Sequence, residues 1–214
     1  MSELYVLDFD RTLADTDDMF DKLCEVTEQI DPELKQELID YNNERTAKGD
    51  ERPMFRPGDV LGDRKTEVFR AFIDSISEEE REYIYEDAKR FLEKIKKLGK
   101  AAVILTFGDS EWQRAKIDAT LGSSELDLPV KITEEKIKSK TIKDFFNEET
   151  GQYEFGSQKA DKIIGVGDRL TDVEGYDDLP NAKGHVLDPH DRIDDPLPSN
   201  SSKIKSFDEL DVAA

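Results

Sequence analysis

The chain is expected to fold as an α/β protein, a parallel sheet with a helical domain inserted into it. Three observations point there. Short apolar runs at 4–7, 101–106 and 162–167 are continuous rather than alternating, and helical patterns lie between them. A strand that is apolar along its whole length belongs in a sheet covered on both faces. The first and second runs are separated by about 85 residues, whereas a parallel crossover needs only a dozen or more, so the interval is read as a domain.

Taken in order, Leu4-Tyr5-Val6-Leu7 is too short for a helix and leads straight into Asp8-Phe9-Asp10, the pattern of a buried strand ending in carboxylates. Helical spacing follows near 15–30, 32–48, 64–76 and 78–98, with Phe20, Leu23, Cys24 and Thr27, then Val68, Phe69, Phe72 and Ile73, as apolar stripes. Asp31-Pro32 and Ser77-Glu78-Glu79-Glu80 read as helix starts, with a cap residue ahead of proline or acids. Residues 49–59 are rich in proline and glycine and are expected to form a loop, and Gly99 is a helix stop. Strands are then expected at 101–106, 128–132, 162–168 and 184–188, followed by a long surface loop over 188–202 and a short element at 207–210. This gives a core of residues 1–14 and 98–214, with 15–97 as the insertion.

The 214 residues include 31 Lys and Arg against 51 Asp and Glu, a net charge of −20. Such a surface excludes binding of nucleic acid or an anionic membrane through a broad basic face. No apolar run approaches the ~20 residues that span a bilayer, and the first residues lack the basic and apolar pattern of a signal peptide, so a cytoplasmic protein is expected. Cys24 has no second cysteine to pair with and is read as a buried thiol.

Ligands of parallel α/β sheets bind at the carboxyl ends of the strands, where residues distant in sequence converge. Here those ends carry Asp8 and Asp10, Thr106, and Asp168 with Asp172 four residues on. Any one of these aspartates taken alone has a plainer reading as a cap or turn former. Several carboxylates at one point cannot all stay ionised without counter-charge, and oxygen-only ligands suit Mg²⁺.

Together these segments resemble the haloacid dehalogenase-like (HAD) superfamily. Asp8-Phe9-Asp10-Arg11-Thr12-Leu13 is similar to the family's first motif, with Arg11 where glycine is common; Ile104-Leu105-Thr106 is similar to the second, and Gly167-Asp168-Arg169-Leu170-Thr171-Asp172 to the fourth. The third motif requires a lysine just ahead of a helix. Lys136, Lys138, Lys140 and Lys143 are available; Lys138 best precedes the apolar positions Ile142, Phe145 and Phe146, with Lys140 as the alternative. The resemblance implies a Rossmann-like core with an inserted helical cap that covers the site and limits access to small substrates.

It also implies roles. Asp8 would attack phosphorus to form an aspartyl-phosphate, and Asp10 would act as acid and then base. Thr106 and Lys138 would donate to phosphate oxygens. Asp8, the Asp10 backbone carbonyl, Asp168 and Asp172 would hold Mg²⁺. The expected activity is a Mg²⁺-dependent phosphatase acting on a small phosphorylated metabolite. Dehalogenase and phosphomutase are the alternative activities within the family, and a catalytically silent HAD-like binding or regulatory domain that keeps the fold is the alternative from another functional class.

Around the centre, Arg11 is a candidate for the phosphate, and Arg52, Arg56 and Arg64 for an anionic substrate, against a plain role as solvated arginines. Residues 51–100 carry 12 acids and 12 bases, while 13–50 carry 12 and 4, so the arginine-bearing stretch repels an anion least. Trp112 is read either as core packing or as a stacking surface, and His185 and His190 as non-catalytic.

Overall fold

The computed structural model describes residues 2–49, 53–79, 82–122 and 128–212. They form two compact units, Met1–Ala14 with Ile84–Phe107 and Leu126–Ala214, and Asp15–Tyr83 with Gly108–Glu125.

The first unit is built on a six-stranded parallel sheet. Its strands are β1 (Glu3–Leu7), β2 (Ala101–Phe107), β3 (Val130–Thr133), β7 (Lys162–Gly167), β8 (Ala182–Leu187) and β9 (Ser201–Ile204), in the order β3-β2-β1-β7-β8-β9. Leu4, Val6, Val103, Leu105, Ile163 and Val186 are buried in one cluster, which accounts for strands without polar alternation. Chain order runs outward from β1 on one side and resumes at β7 on the other. The reversal between β1 and β7 opens a crevice at their carboxyl ends, where Asp8 and Asp168 stand. A second, antiparallel sheet of β4 (Phe146–Asn147), β5 (Gln152–Phe155) and β6 (Gln158–Ala160) follows the short helix α7 (Lys138–Lys143).

The second unit is helical, with α1 (Thr16–Ile30), α2 (Pro32–Thr46), α3 (Pro57–Leu61), α4 (Lys65–Glu78) and α6 (Ser110–Leu121). Asp15, Asp31 and Asp109 cap α1, α2 and α6, accepting from the backbone amides of Asp18 (3.2 Å), Glu33 (3.1 Å) and Trp112 (3.0 Å). Trp112 is buried, with its ring 5.0 Å from Phe72 and 5.8 Å from Phe69.

Several expectations are corrected. The acidic run after Ser77 does not start a helix: the Ser77 hydroxyl donates to the Ile73 carbonyl (2.8 Å) inside the last turn of α4, and α5 begins only at Glu86 and runs to Lys97. The loop expected over 49–59 contains the start of α3, because Pro57 occupies the first helical position, where its missing N–H costs nothing. The loop expected over 188–202 already includes the start of β9. The division into units also departs from the boundary at 15–97. α5 belongs with the sheet, Phe91 lying 5.5 Å from Tyr5 and 4.9 Å from Phe207, and α6 belongs with the helices.

In the turn after β1, Arg11 has φ +57°, a left-handed conformation that costs a residue with a Cβ about 1–2 kcal/mol and glycine almost nothing. This is a backbone reason for glycine at that position. Arg11→Gly and Arg11→Ala both remove the side chain, but only the first relieves the backbone. The glycine variant is expected to be more stable than the alanine variant by about 1 kcal/mol in urea unfolding; equal stability would contradict this.

Burial, with Lys183 and Lys162 nearby, holds the His185 imidazole down at about 4, and its Nδ1 lies 3.0 Å from the Ser202 hydroxyl. Between that value and an unfolded value of about 6.5 the unfolded chain binds the extra proton. His185 therefore withdraws stability as pH falls through this window and none above it, by up to about 3 kcal/mol at pH 4. Denaturant melts are expected to show a smaller acid loss in His185→Gln than in the parent chain; parallel losses would refute the assignment.

Candidate active site

The centre is assembled in the sheet unit from four segments. Asp8 follows β1 directly, and its amide donates to the Val166 carbonyl of β7 (2.8 Å), fixing the carboxylate at the crevice. The chain then tightens: the amides of Leu13 and Ala14 both donate to the Phe9 carbonyl (3.1 and 3.2 Å), and that of Arg11 to the Ala14 carbonyl (2.9 Å). Phe9 is fully buried and anchors the turn. The turn returns Thr12, whose hydroxyl donates to Asp8 Oδ2 (3.4 Å). Asp10 is partly buried, and its backbone bridges to Ala14.

Thr106 lies near the end of β2 at 0% exposure, and its hydroxyl has no hydrogen-bond partner among the described residues. Lys138 is the first residue of α7 and only 2% exposed. Its ammonium contacts Asp8 Oδ1 and lies 2.8 Å from Asp172 Oδ1. Asp172 sits in a 3-10 turn over Leu170–Asp172 and accepts from the Arg169 amide through Oδ2 (2.9 Å). Gly167 is required here, because a Cβ would overlap the Asp172 carboxylate.

Asp8, Asp168 and Asp172 each offer a carboxylate oxygen, and these three atoms lie within 4.8 Å of one another. Burial raises the Asp8 carboxyl to about 8, with Asp172, Asp168 and Asp10 adding to the rise and Lys138 opposing it. Burial and Asp172 raise Asp168 to about 6, against Arg169, Lys138 and Arg11. Burial works against the charge on Lys138, but Asp172 and Asp8 outweigh it and keep the ammonium protonated. Asp8 and Asp172 thus share one buried lysine, and Asp168 has Arg169, a partly exposed side chain, 3.8 Å away, so buried positive charge falls short of the three carboxylates. An all-oxygen donor set with that deficit suits a hard divalent cation.

Of the expected residues, the structure brings together Asp8, Asp168, Asp172 and Lys138. Asp10 contributes no carboxylate to the cluster of three. Lys140, the alternative lysine, has a side chain 61% exposed and pairs with Glu135 (3.4 Å). The helix begins at Lys138 itself rather than just beyond it. Arg11 is exposed beside the centre, close enough for its charge to act on Asp168. Arg56 and Arg64 lie in the helical unit, Arg64 paired with Glu67 (2.7 Å), and Arg52 lies outside the described residues. His185 is buried in β8 and His190 is exposed. Thr12 and Gly167 were not singled out from sequence, although both lie inside the first and fourth motifs; their roles depend on the return of a turn and the seating of a carboxylate, which spacing does not reveal.

A family model for haloacid dehalogenase-like hydrolases matches residues 3–176. No curated protein sequence matches the chain. Solved structures share the fold at low identity. YfnB from Bacillus subtilis, a HAD-hydrolase bound to magnesium, has 14% identity over 97% of this chain and 96% of its own, with a TM-score of 0.61. A CbbY variant from Rhodobacter sphaeroides in complex with xylulose-(1,5)bisphosphate has 16% identity over 98% and 96%, with a TM-score of 0.59. A dehalogenase in an intermediate complex has 17% identity over 97% and 95%, with a TM-score of 0.54. With the family match covering most of its length and the parallel sheet carrying its carboxylates at the switch point, the chain belongs to the haloacid dehalogenase-like hydrolases.

Proposed function

We propose that the protein is a Mg²⁺-dependent phosphatase that hydrolyses a small phosphorylated metabolite through an aspartyl-phosphate. The observation that carries the reading is the Lys138 ammonium buried against the acidic cluster, with the buried Thr106 hydroxyl, which has no hydrogen-bond partner among the described residues, near the end of the neighbouring strand β2. A buried hydroxyl left without a partner is costly, and a phosphoryl oxygen would satisfy it. The sugar bisphosphate bound by CbbY supports a small phosphate ester as the first class to examine.

Phosphoryl transfer depends on placement and on neutralising charge. Asp8 would attack phosphorus through a carboxylate oxygen as the bond from phosphorus to the ester oxygen breaks, and Asp10 would give its proton to the departing oxygen. Asp10, now a base, would take a proton from water as the water oxygen attacks phosphorus, releasing phosphate and restoring the Asp8 carboxylate. Lys138 would favour the ionised form of Asp8 and hold it in position, and Thr106 would orient the phosphoryl group. A bound Mg²⁺ would neutralise charge on the carboxylates and the phosphoryl oxygens, held by Asp8, the Asp10 backbone carbonyl, Asp168 and Asp172.

Dehalogenation is disfavoured by the residues themselves. A halide leaves carbon without a proton, so it needs neither an acid at Asp10 nor a cation at Asp168 and Asp172.

Phosphate release should be measured over a panel of phosphorylated metabolites, with Mg²⁺ and after chelation, beside halide release from 2-haloacids. Turnover on the panel is expected to require Mg²⁺, to disappear in Asp8→Asn, and to fall by roughly 10²–10⁴ in Asp10→Asn. Full activity after chelation or in Asp8→Asn would refute the mechanism. Halide release would indicate the dehalogenase, and no turnover on either panel a silent domain.

A further inference from the structure

Lys138 is held by surprisingly little of its own secondary structure. α7 has six residues, and its N-cap residue, Ile137, supplies no side-chain hydrogen bond. A helix this short has no stability of its own, and an ammonium moved by an ångström would lose its place between Asp8 and Asp172. The path into α7 adds to the difficulty. Residue 133 is buried at the end of β3, an edge strand, residues 134–136 are exposed, and the chain becomes buried again at Lys138.

A polar contact joins the two buried ends of this excursion, beside the exposed pair of Lys140 with Glu135. Thr133 Oγ1 and Thr141 Oγ1, both buried, lie 3.0 Å apart. Thr133 Oγ1 also accepts from the Glu135 amide (3.1 Å), turning the chain outward at the strand end. Apolar and steric contacts complete the seat. Ile142 is buried in the core, and Ser139 Oγ lies 2.6 Å from where a Cβ on Gly175 would stand, so the helix rests directly on glycine backbone beyond the Asp172 turn.

We infer that Thr133 and Thr141 are positioning residues: their hydroxyl pair closes the segment from β3 to α7 and sets the Lys138 ammonium against Asp8 and Asp172. Neither threonine is placed in contact with substrate; each acts through Lys138. The inference rests on the proposed phosphate reading of this site, and a hydrogen bond at one geometry, rather than threonine's bulk, is what it requires.

The test is a double-mutant cycle on the full chain, reading affinity for inorganic phosphate in the presence of Mg²⁺ by calorimetry, kcat/KM on a panel substrate, and the melting temperature. Thr141→Val preserves shape and removes the hydroxyl. It is expected to weaken phosphate binding and lower kcat/KM by about tenfold, an effect of misplacement. Thr141→Ser restores the hydroxyl and is expected to recover both to within about twofold. Thr133→Val, which also removes the acceptor of the Glu135 amide, is expected to be impaired at least as much as Thr141→Val, and the double valine variant to be no worse than Thr133→Val alone, because the shared contact can be lost only once. Parental phosphate affinity in Thr141→Val, failure of serine to rescue in a protein that melts normally, or multiplying defects in the double variant would overturn the inference. Lys138→Ala separates the two levels: if it leaves phosphate affinity unchanged, the phosphate reading fails and the inference with it. If Lys138→Ala abolishes binding while Thr141→Val does not, the clasp alone fails.

Discussion

A protonated lysine buried between two buried aspartates is a demanding thing to build. Taking ions out of water costs several kcal/mol each, and only close pairing in a fixed geometry offsets it. In this chain Lys138 meets that demand by contacting Asp8 from β1 and Asp172 from the turn after β7. Much of the sheet unit can be understood as what holds these three groups. Parallel register places Asp8 beside Val166, Gly167 leaves room for the Asp172 carboxylate, and the threonine pair closes the path to Lys138.

The pairing is incomplete, and the deficit is chemically informative. Asp168 shares the space with Asp8 and Asp172, and the raised carboxyl groups of Asp8 and Asp168 reflect burial with too little compensating charge. The raised Asp8 would be a poor nucleophile while protonated. On the proposed reading, a divalent cation among these oxygens would reverse that tendency, and metal binding and nucleophile activation would be two aspects of one electrostatic balance. Among the described residues the Thr106 hydroxyl near the end of β2 has no hydrogen-bond partner, a second unmet demand that a phosphoryl oxygen would answer on the proposed reading.

Much of this was legible in the amino-acid order. Unbroken apolar runs mark buried parallel strands, and carboxylates just beyond them mark the end where ligands bind. Lys138 could be preferred to Lys140 only through the phase of Ile142, Phe145 and Phe146, while the structure separates them by burial. What escaped was governed by contacts distant in sequence. β4 and β6 have two and three residues, too few to show a period. The end of α4 was missed because the acids after Ser77 suit the first turn of a helix as well as its surface. Arg11 shows the opposite case: its departure from the family's glycine was visible in sequence, but the left-handed backbone behind that preference was not.

The central claim is that Asp8 is the group that becomes covalently modified. Its most direct test is peptide mass spectrometry of the protein acid-quenched during turnover of a panel phosphate ester with Mg²⁺. The account predicts one added phosphoryl group, labile to hydroxylamine and located on Asp8. Turnover with an unmodified Asp8, or with the phosphoryl group on another residue, would contradict it.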